Sequence, residues 1–383
     1  MTSQAVATAV TPSRTLRDLA DGQRAAVLTH KDSVGVHPAA SNAEYDYYAP
    51  SECGAFDPRQ DEQEVRRKNH FAFCLVSRPR YRFYRYIGRF PVLVGEATFR
   101  IMLIGYGERG VRRMRFELDV DDWDGWGFQR DEAPLEIKTT CLNLPQAECD
   151  TVGGGRASTI RDWKVRGYDY ATFVTARSPG GGDGANYDQD KVNYHQMRLE
   201  IVAPTGSGRF DQSFRCDSAT YAGGGACIFH EVEAVMQYRL SGDGVDEIAA
   251  HIKKAQEDPG SMYPGGAGTA IPGGYTSGRP LTRLYSGMDD ESRRYYDANN
   301  RIARNTCEKF DPNYGKPGLQ CDEYPFRSTW EGAYSTAVDP QSRWKYSARM
   351  VDGDQNGKAG SDLGVWYTQD HILAKDAFWV SIR

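Results

Sequence analysis

Met114-Arg115-Phe116-Glu117-Leu118-Asp119-Val120-Asp121 alternates apolar and charged side chains without a break. Successive side chains of a strand point to opposite faces, so this stretch offers one face to a core and the other to water. Residues 99–104, 168–175 and 194–202 also read as strands, and glycine-rich breaks at 105–110, 153–155 and 180–184 separate the candidates. An antiparallel, sandwich-like β domain is therefore expected over residues 41–227. Residues 1–40 mix Ala, Thr, Ser and Val without a sustained period and read as a flexible leader with room for one short helix.

The pattern changes after Cys227. Residues 232–240 read as a strand, Asp243 and Gly244 as a turn, and 245–256 as a helix with Ile248, Ile252 and Ala255 on one face. A second helix is expected over 289–309, where Asp289, Asp290 and Glu291 suit the positive end of its dipole. The Gly/Pro-rich stretch 259–280 has no period and reads as a long flexible loop. The fold class is thus α+β, with a second domain over 228–383.

Composition narrows the class further. The 383 residues exceed one ordinary domain of about 150 residues, and a hydrophobic content of 39% is too high for a disordered chain. A net charge of −5 argues against binding driven by global positive charge, so an anionic partner must be met locally. No apolar run approaches the roughly 20 residues of a membrane span, and no membrane is expected among the partners. The first ten residues lack the basic and apolar regions of a signal peptide. The eight cysteines form four pairs close in sequence: Cys53 with Cys74, Cys141 with Cys149, Cys216 with Cys227, and Cys307 with Cys321. None has the spacing of a zinc knuckle, which leaves disulfides and an exported protein as the favoured reading.

Three charged clusters could carry chemistry. Residues 64–115 hold 13 Lys or Arg against three Glu, and Arg80, Arg82 and Arg85 alternate there with Tyr81, Phe83 and Tyr84. Such a strand could neutralise phosphates and stack bases, although a solvated face balanced by the acidic residues 119–124 is the favoured reading. Asp119, Asp121, Asp122 and Asp124 lack the spacing and closing Glu of an EF-hand. The third cluster is C-terminal: Cys321-Asp322-Glu323-Tyr324-Pro325-Phe326, then Glu331-Gly332, then Asn356 in a glycine-rich turn ending Ala359-Gly360-Ser361. Adjacent carboxylates and an Asn supply hard oxygen ligands and a general base, the needs of metal-assisted phosphodiester hydrolysis.

Those residues resemble the NucA/NucB family of extracellular bacterial deoxyribonucleases. Lys316-Pro317-Gly318 followed by Asp322-Glu323-Tyr324-Pro325 is similar to its KPG and D-E-[WY]-P stretch, Glu331-Gly332 to its E-G-G, and Asn356 with Ala359-Gly360-Ser361 to its N-R-G-A-G-S turn. Phe378-Trp379-Val380 resembles its closing strand, and His251-Ile252 falls in a segment similar to its early helix. The resemblance implies a ββα-metal-type nuclease fold over 228–383 and sequence-nonspecific, endonucleolytic hydrolysis of DNA by a secreted enzyme. By the same carry-over Asp322 is the general base, with Glu323 as its alternative or as part of the metal shell. Asn356 is the metal ligand, Glu331 an auxiliary acidic group, and magnesium or manganese the cofactor. The chain departs from the family in Gln320-Cys321, where an Asp-Arg pair often stands, and in Gly357, which replaces an Arg. Arg327 and Lys358 are then the phosphate contacts.

His251 reads as satisfied at the core edge and His371 as structural or solvated. Residues 228–383 carry 18 Lys plus Arg against 22 Asp plus Glu, so DNA affinity should be modest unless Arg80, Arg82 and Arg85 act as a DNA platform. DNA is the expected partner, and no protein partner is read from the sequence. Two alternatives stand beside the secreted nuclease: a non-catalytic DNA- or surface-binding module on a nuclease scaffold, and an antibacterial DNase toxin.

Overall fold

The computed structural model describes residues 5–8, 45–127, 130–142, 148–175, 190–203, 206–266, 268–341 and 345–383. Most of the expected leader and the glycine-rich break at 180–184 lie outside these residues. Within the leader, Ala5–Thr8 is a strand paired antiparallel with Arg82–Arg85. The chain divides into two units, one holding 1–220 and 224–232, the other 221–223 and 233–383.

The first unit is a large antiparallel β structure. Its spine is a pair of long strands, Phe90–Arg109 and Arg113–Gly127, in which Leu103 faces Leu118 and Ile101 faces Val120. Alternation sends Met114, Phe116, Leu118 and Val120 into the core, where they share one cluster with Met197, Leu199 and Phe214 from strands further along the sheet. The charged alternates pair on the outer face: Asp121 binds Arg100 at 2.6 Å and Asp122 binds Arg78 at 2.7 Å. The acidic string is thus the solvated partner of the basic segment. Disulfides join Cys53 to Cys74, Cys141 to Cys149 and Cys216 to Cys227.

The second unit is mixed α+β. Val235–Tyr238 runs parallel to Ala377–Ile382, which pairs antiparallel with Leu281–Thr282. Beside this small sheet, Leu319–Tyr324 and Ser347–Asp352 form an antiparallel pair in which Asp322 faces Arg349 and Cys321 faces Met350. Helix Gly353–Gln369 follows the second strand directly. Helix Asp246–Glu257 buries Ile248, Ala249, Ile252 and Ala255 in a core with Tyr324 and Val351 from the strand pair, and Leu363 and Tyr367 from the last helix. Helix Asp290–Phe310 packs Ala303 and Cys307 against Ala348 and Met350. The strand pair is therefore held between two helices. The Asp289 carboxylate accepts the Ser292 N–H at 2.7 Å at the start of helix Asp290–Phe310, and Cys307 in its last turn is bonded to Cys321.

Two expectations differ from the structure. The described residues of 259–280 are tied to the core: Ile271 is buried in it, and the Gly273 carbonyl accepts the Val380 N–H at 2.8 Å. Burial of Met262 and Ile271 and backbone pairing to the closing strand order a segment without periodicity. The expected glycine-rich turn around Asn356 is the first turn of helix Gly353–Gln369, capped by the Asp352 carboxylate, which accepts the Asp354 and Gln355 N–H groups.

The Cys307–Cys321 bond spans 14 positions and ties a helix to the strand bearing Asp322. Loop-closure entropy for a loop of this size is worth about 3 kcal/mol. Replacing both cysteines by alanine should move the urea transition of the 233–383 unit to a lower midpoint by that order, read by unfolding of the whole chain; an unchanged midpoint would contradict the tether.

Candidate active site

Asp322 occupies the fourth position of strand Leu319–Tyr324 and is buried with its side chain on the side of helix Asp246–Glu257. There it meets His251, a wholly buried residue on that helix. His251 Nδ1 donates to Asp322 Oδ2 at 2.5 Å, and Nε2 lies 2.7 Å from the Ser347 hydroxyl on the neighbouring strand. With Nδ1 on the carboxylate and Nε2 on the Ser347 hydroxyl, both nitrogens are satisfied and the imidazole is fixed. Asp322 Oδ1 has no hydrogen-bond partner among the described residues, and Asp322 lines a cavity of about 790 Å³.

The same cavity takes in Glu323, Arg327 and Asn356. Burial, reinforced by the charge of Asp322, pushes the Glu323 carboxyl up to about 8, while Arg327 acts in the opposite direction. Asn356, in the first turn of its helix, donates from Nδ2 to Gln320 Oε1 at 3.3 Å, which leaves its own amide oxygen without a partner among the described residues. Gly360 and Gly364 on this helix also line the cavity, and a Cβ at either would meet nothing within 4 Å. The wall there is open space that side chains would narrow.

Arg327 lies with its guanidinium 3.9 Å from the Tyr296 ring centroid and pairs with Asp297 at 3.1 Å. Sequence reasoning missed the helix beside Arg327: Tyr296, Asn300 and Arg304 follow one another at four-residue spacing on helix Asp290–Phe310 and all line the cavity. Arg304 is exposed and has no acidic partner among the described residues. That spacing of an aromatic, an amide and a cation was the available signal. His251 left no comparable one, because it meets Asp322 across 71 positions of chain.

Two expected site residues sit elsewhere. The Glu331 carboxylate is engaged by the Thr282 N–H at 2.7 Å and the Thr282 hydroxyl at 3.0 Å, and it is not among the cavity-lining residues. It ties strand Leu281–Thr282 to the segment after Phe326. Gly332 beside it admits the buried Asn299, whose side chain would lie 2.5 Å from an added Cβ and which binds the Arg327 and Thr329 carbonyls. Lys358 pairs with Asp362 one turn on and also lies outside the lining. In the first unit, Glu96 takes both Arg80 and Arg82, and Arg80 also pairs with Asp61, whereas Arg85 has no ion pair among the described residues. His371 is buried and hydrogen-bonded to the Ala222 carbonyl at 3.1 Å, a structural residue.

A carboxylate held by a buried imidazole, a second carboxylate, an amide and two cations thus surround one cavity. Residues 274–381 match the family model described as Deoxyribonuclease NucA/NucB. The matched segment contains Asp322, Glu323, Arg327 and Asn356; His251 precedes it. No curated protein and no solved structure matches the chain.

Hard oxygen donors suit magnesium or manganese, and a carboxylate such as Glu323 with the Asn356 amide is the small protein share that magnesium takes while keeping several waters. The close group of Cys141, Cys149 and His195 does not fit a metal in the oxidised chain, since both sulfurs are in a disulfide.

The raised Glu323 sets a pH dependence. A carboxyl that titrates near 8 in the folded chain and near 4.5 unfolded binds more protons when folded, so its contribution to stability is complete below the unfolded value and is lost as pH rises toward 8. In metal-free buffer the wild type should therefore lose melting temperature between these pH values relative to Glu323→Gln. Parallel pH profiles for the two proteins would show that Glu323 is not the titrating group.

Proposed function

We propose that the C-terminal unit is a metal-dependent, sequence-nonspecific endodeoxyribonuclease of an exported protein. The observation that carries this reading is Asp322, held by His251 and lining one cavity with Glu323, Arg327 and Asn356 of the family-matched segment. Strands Leu319–Tyr324 and Ser347–Asp352 with helix Gly353–Gln369 are read as its ββα unit.

Asp322 receives the proton of the attacking water at Oδ1, the oxygen not occupied by His251. His251 holds Oδ2 and is itself held by Ser347, so the base is oriented before substrate arrives. Arg327 and Arg304 bind phosphate oxygens, and Arg327 keeps its planar group aligned against Tyr296. Glu323 and Asn356 are the residues that would hold the cation, which supplies neutralisation of the charge developing on the phosphate and the leaving oxygen. Glu331 acts through the architecture of the site, and Lys358 contacts phosphates outside the cavity. Contacts confined to phosphates carry no base information, which supports low sequence preference. Four disulfides support folding in an oxidising compartment, and no helix among the described residues is long and apolar enough to cross a membrane.

Plasmid nicking by the purified, oxidised protein tests this reading. Cutting should require magnesium or manganese and stop in EDTA. Asn356→Ala should raise the magnesium needed for half-maximal cutting by about tenfold, with recovery at high magnesium. Cutting that persists in EDTA would refute metal dependence, and a folded protein that cuts with neither metal would leave a binding module on a nuclease scaffold.

A further inference from the structure

The first unit carries a feature that DNA cleavage does not use. Strand Arg80–Ile87 turns at Gly88 and Arg89 into strand Phe90–Arg109, with Ile87 facing Phe90, Tyr86 facing Pro91 and Arg85 facing Val92. Gly88 has φ +63°, a left-handed conformation suited to so tight a turn. Among the described residues the neighbouring strand Arg113–Gly127 pairs only as far as Gly95, and Ala5–Thr8 reaches only Arg85. Among the described residues the end of the hairpin is a two-stranded ribbon beyond these pairings, and every residue from Arg85 to Leu93 is exposed.

Its composition is the reverse of a solvated hairpin. Ile87 is 64% exposed and Phe90 69%, and Tyr86, Pro91, Val92 and Leu93 are exposed with them. The only charges from Tyr84 to Gly95 are Arg85 and Arg89, and neither has an acidic partner among the described residues. A two-stranded ribbon is marginal in water, and a contiguous exposed apolar cluster marks a surface that meets something else.

The chemistry of the tip selects among partners. Tyr86 and Pro91 form the pair after the hydrogen-bonded closing pair, so their backbone groups face outward, and Pro91 has no N–H to offer an added strand. A two-fold contact with a second copy would bring Arg85 and Arg89 against their own counterparts. Ile87, Pro91, Val92 and Leu93 have no face on which a nucleic-acid base stacks. An anionic bilayer meets all three features: apolar and aromatic side chains enter the boundary between headgroups and acyl chains, cations meet lipid phosphates, and no strand addition is needed. We propose that the 85–93 ribbon docks the protein on an anionic phospholipid surface, with Ile87 and Phe90 inserted and Arg85 and Arg89 on the headgroups. The absence of a spanning apolar run, which removed membranes from the expected partners, does not bear on a ribbon lying in the interface.

The full-length oxidised protein is tested by co-flotation with vesicles of equimolar phosphatidylglycerol and phosphatidylcholine and with vesicles of phosphatidylcholine alone. The wild type should float with the anionic vesicles and bind phosphatidylcholine at least about tenfold more weakly. Ile87→Ser with Phe90→Ser should lower binding to anionic vesicles by about tenfold or more, and Arg85→Gln with Arg89→Gln should abolish the preference for them. All four positions are exposed, so unchanged melting curves serve as the folding control. Wild type that stays with neither vesicle, or a serine variant that floats like wild type, overturns the proposal. So does a self-association seen by sedimentation, or a DNA affinity, that the serine variant loses while vesicle binding is absent.

Discussion

Burying a carboxylate is expensive unless a donor meets it, and in this protein the donor of Asp322 is itself buried. His251 can reach Asp322 only if helix Asp246–Glu257 lies against the strand pair, and its other nitrogen is satisfied only if Ser347 stands on the adjacent strand. Three elements distant in sequence are thus positioned by one chain of hydrogen bonds. The N-termini of helices Asp246–Glu257 and Gly353–Gln369 are joined in the same way: the Glu247 carboxylate accepts the Asp352 N–H, and the Gln355 side chain accepts the Glu247 N–H. That cross-tie places Asn356 beside the cavity that Asp322 and Glu323 enter.

The residues around this center divide their work. Arg304 and Arg327 bring positive charge to the cavity of a unit that is acidic overall, the local charge on which the proposed phosphate contacts rest. Glu331 and Gly332, adjacent in sequence to the catalytic segment, serve its shape: one ties a short strand and the other makes room for Asn299. A motif can therefore combine groups that touch substrate with groups that only hold the loop, and their residue types alone do not separate the two roles.

The β half was legible because its strands are exposed on one face, so Met114 to Asp121 writes its fold in a period of two. The four cysteine pairs were legible because each bond closes a short loop. The Asp322–Glu323 pair was found by local pattern and by family resemblance. What stayed hidden was non-local: His251 shows an apolar-face helix residue to any window of sequence, and only the fold reveals its partner. The helix at Asn356 was obscured by Gly353, Gly357, Gly360 and Gly364, whose low helical propensity is overridden by the burial of Ala359, Leu363 and Tyr367. Arg80 and Arg82 stood out as a basic strand, yet Glu96, more than a dozen positions on, takes both charges.

The central claim is that Asp322, oriented by His251, is the base. The direct measurement is single-turnover DNA cleavage at saturating magnesium by the wild type and by Asp322→Asn, with DNA binding and the melting curve recorded for both. An amide keeps the shape and can still meet His251 but cannot take a proton, so the account expects unchanged binding and a cleavage rate lower by about a hundredfold or more. Cleavage at the wild-type rate by a folded Asp322→Asn protein would contradict it.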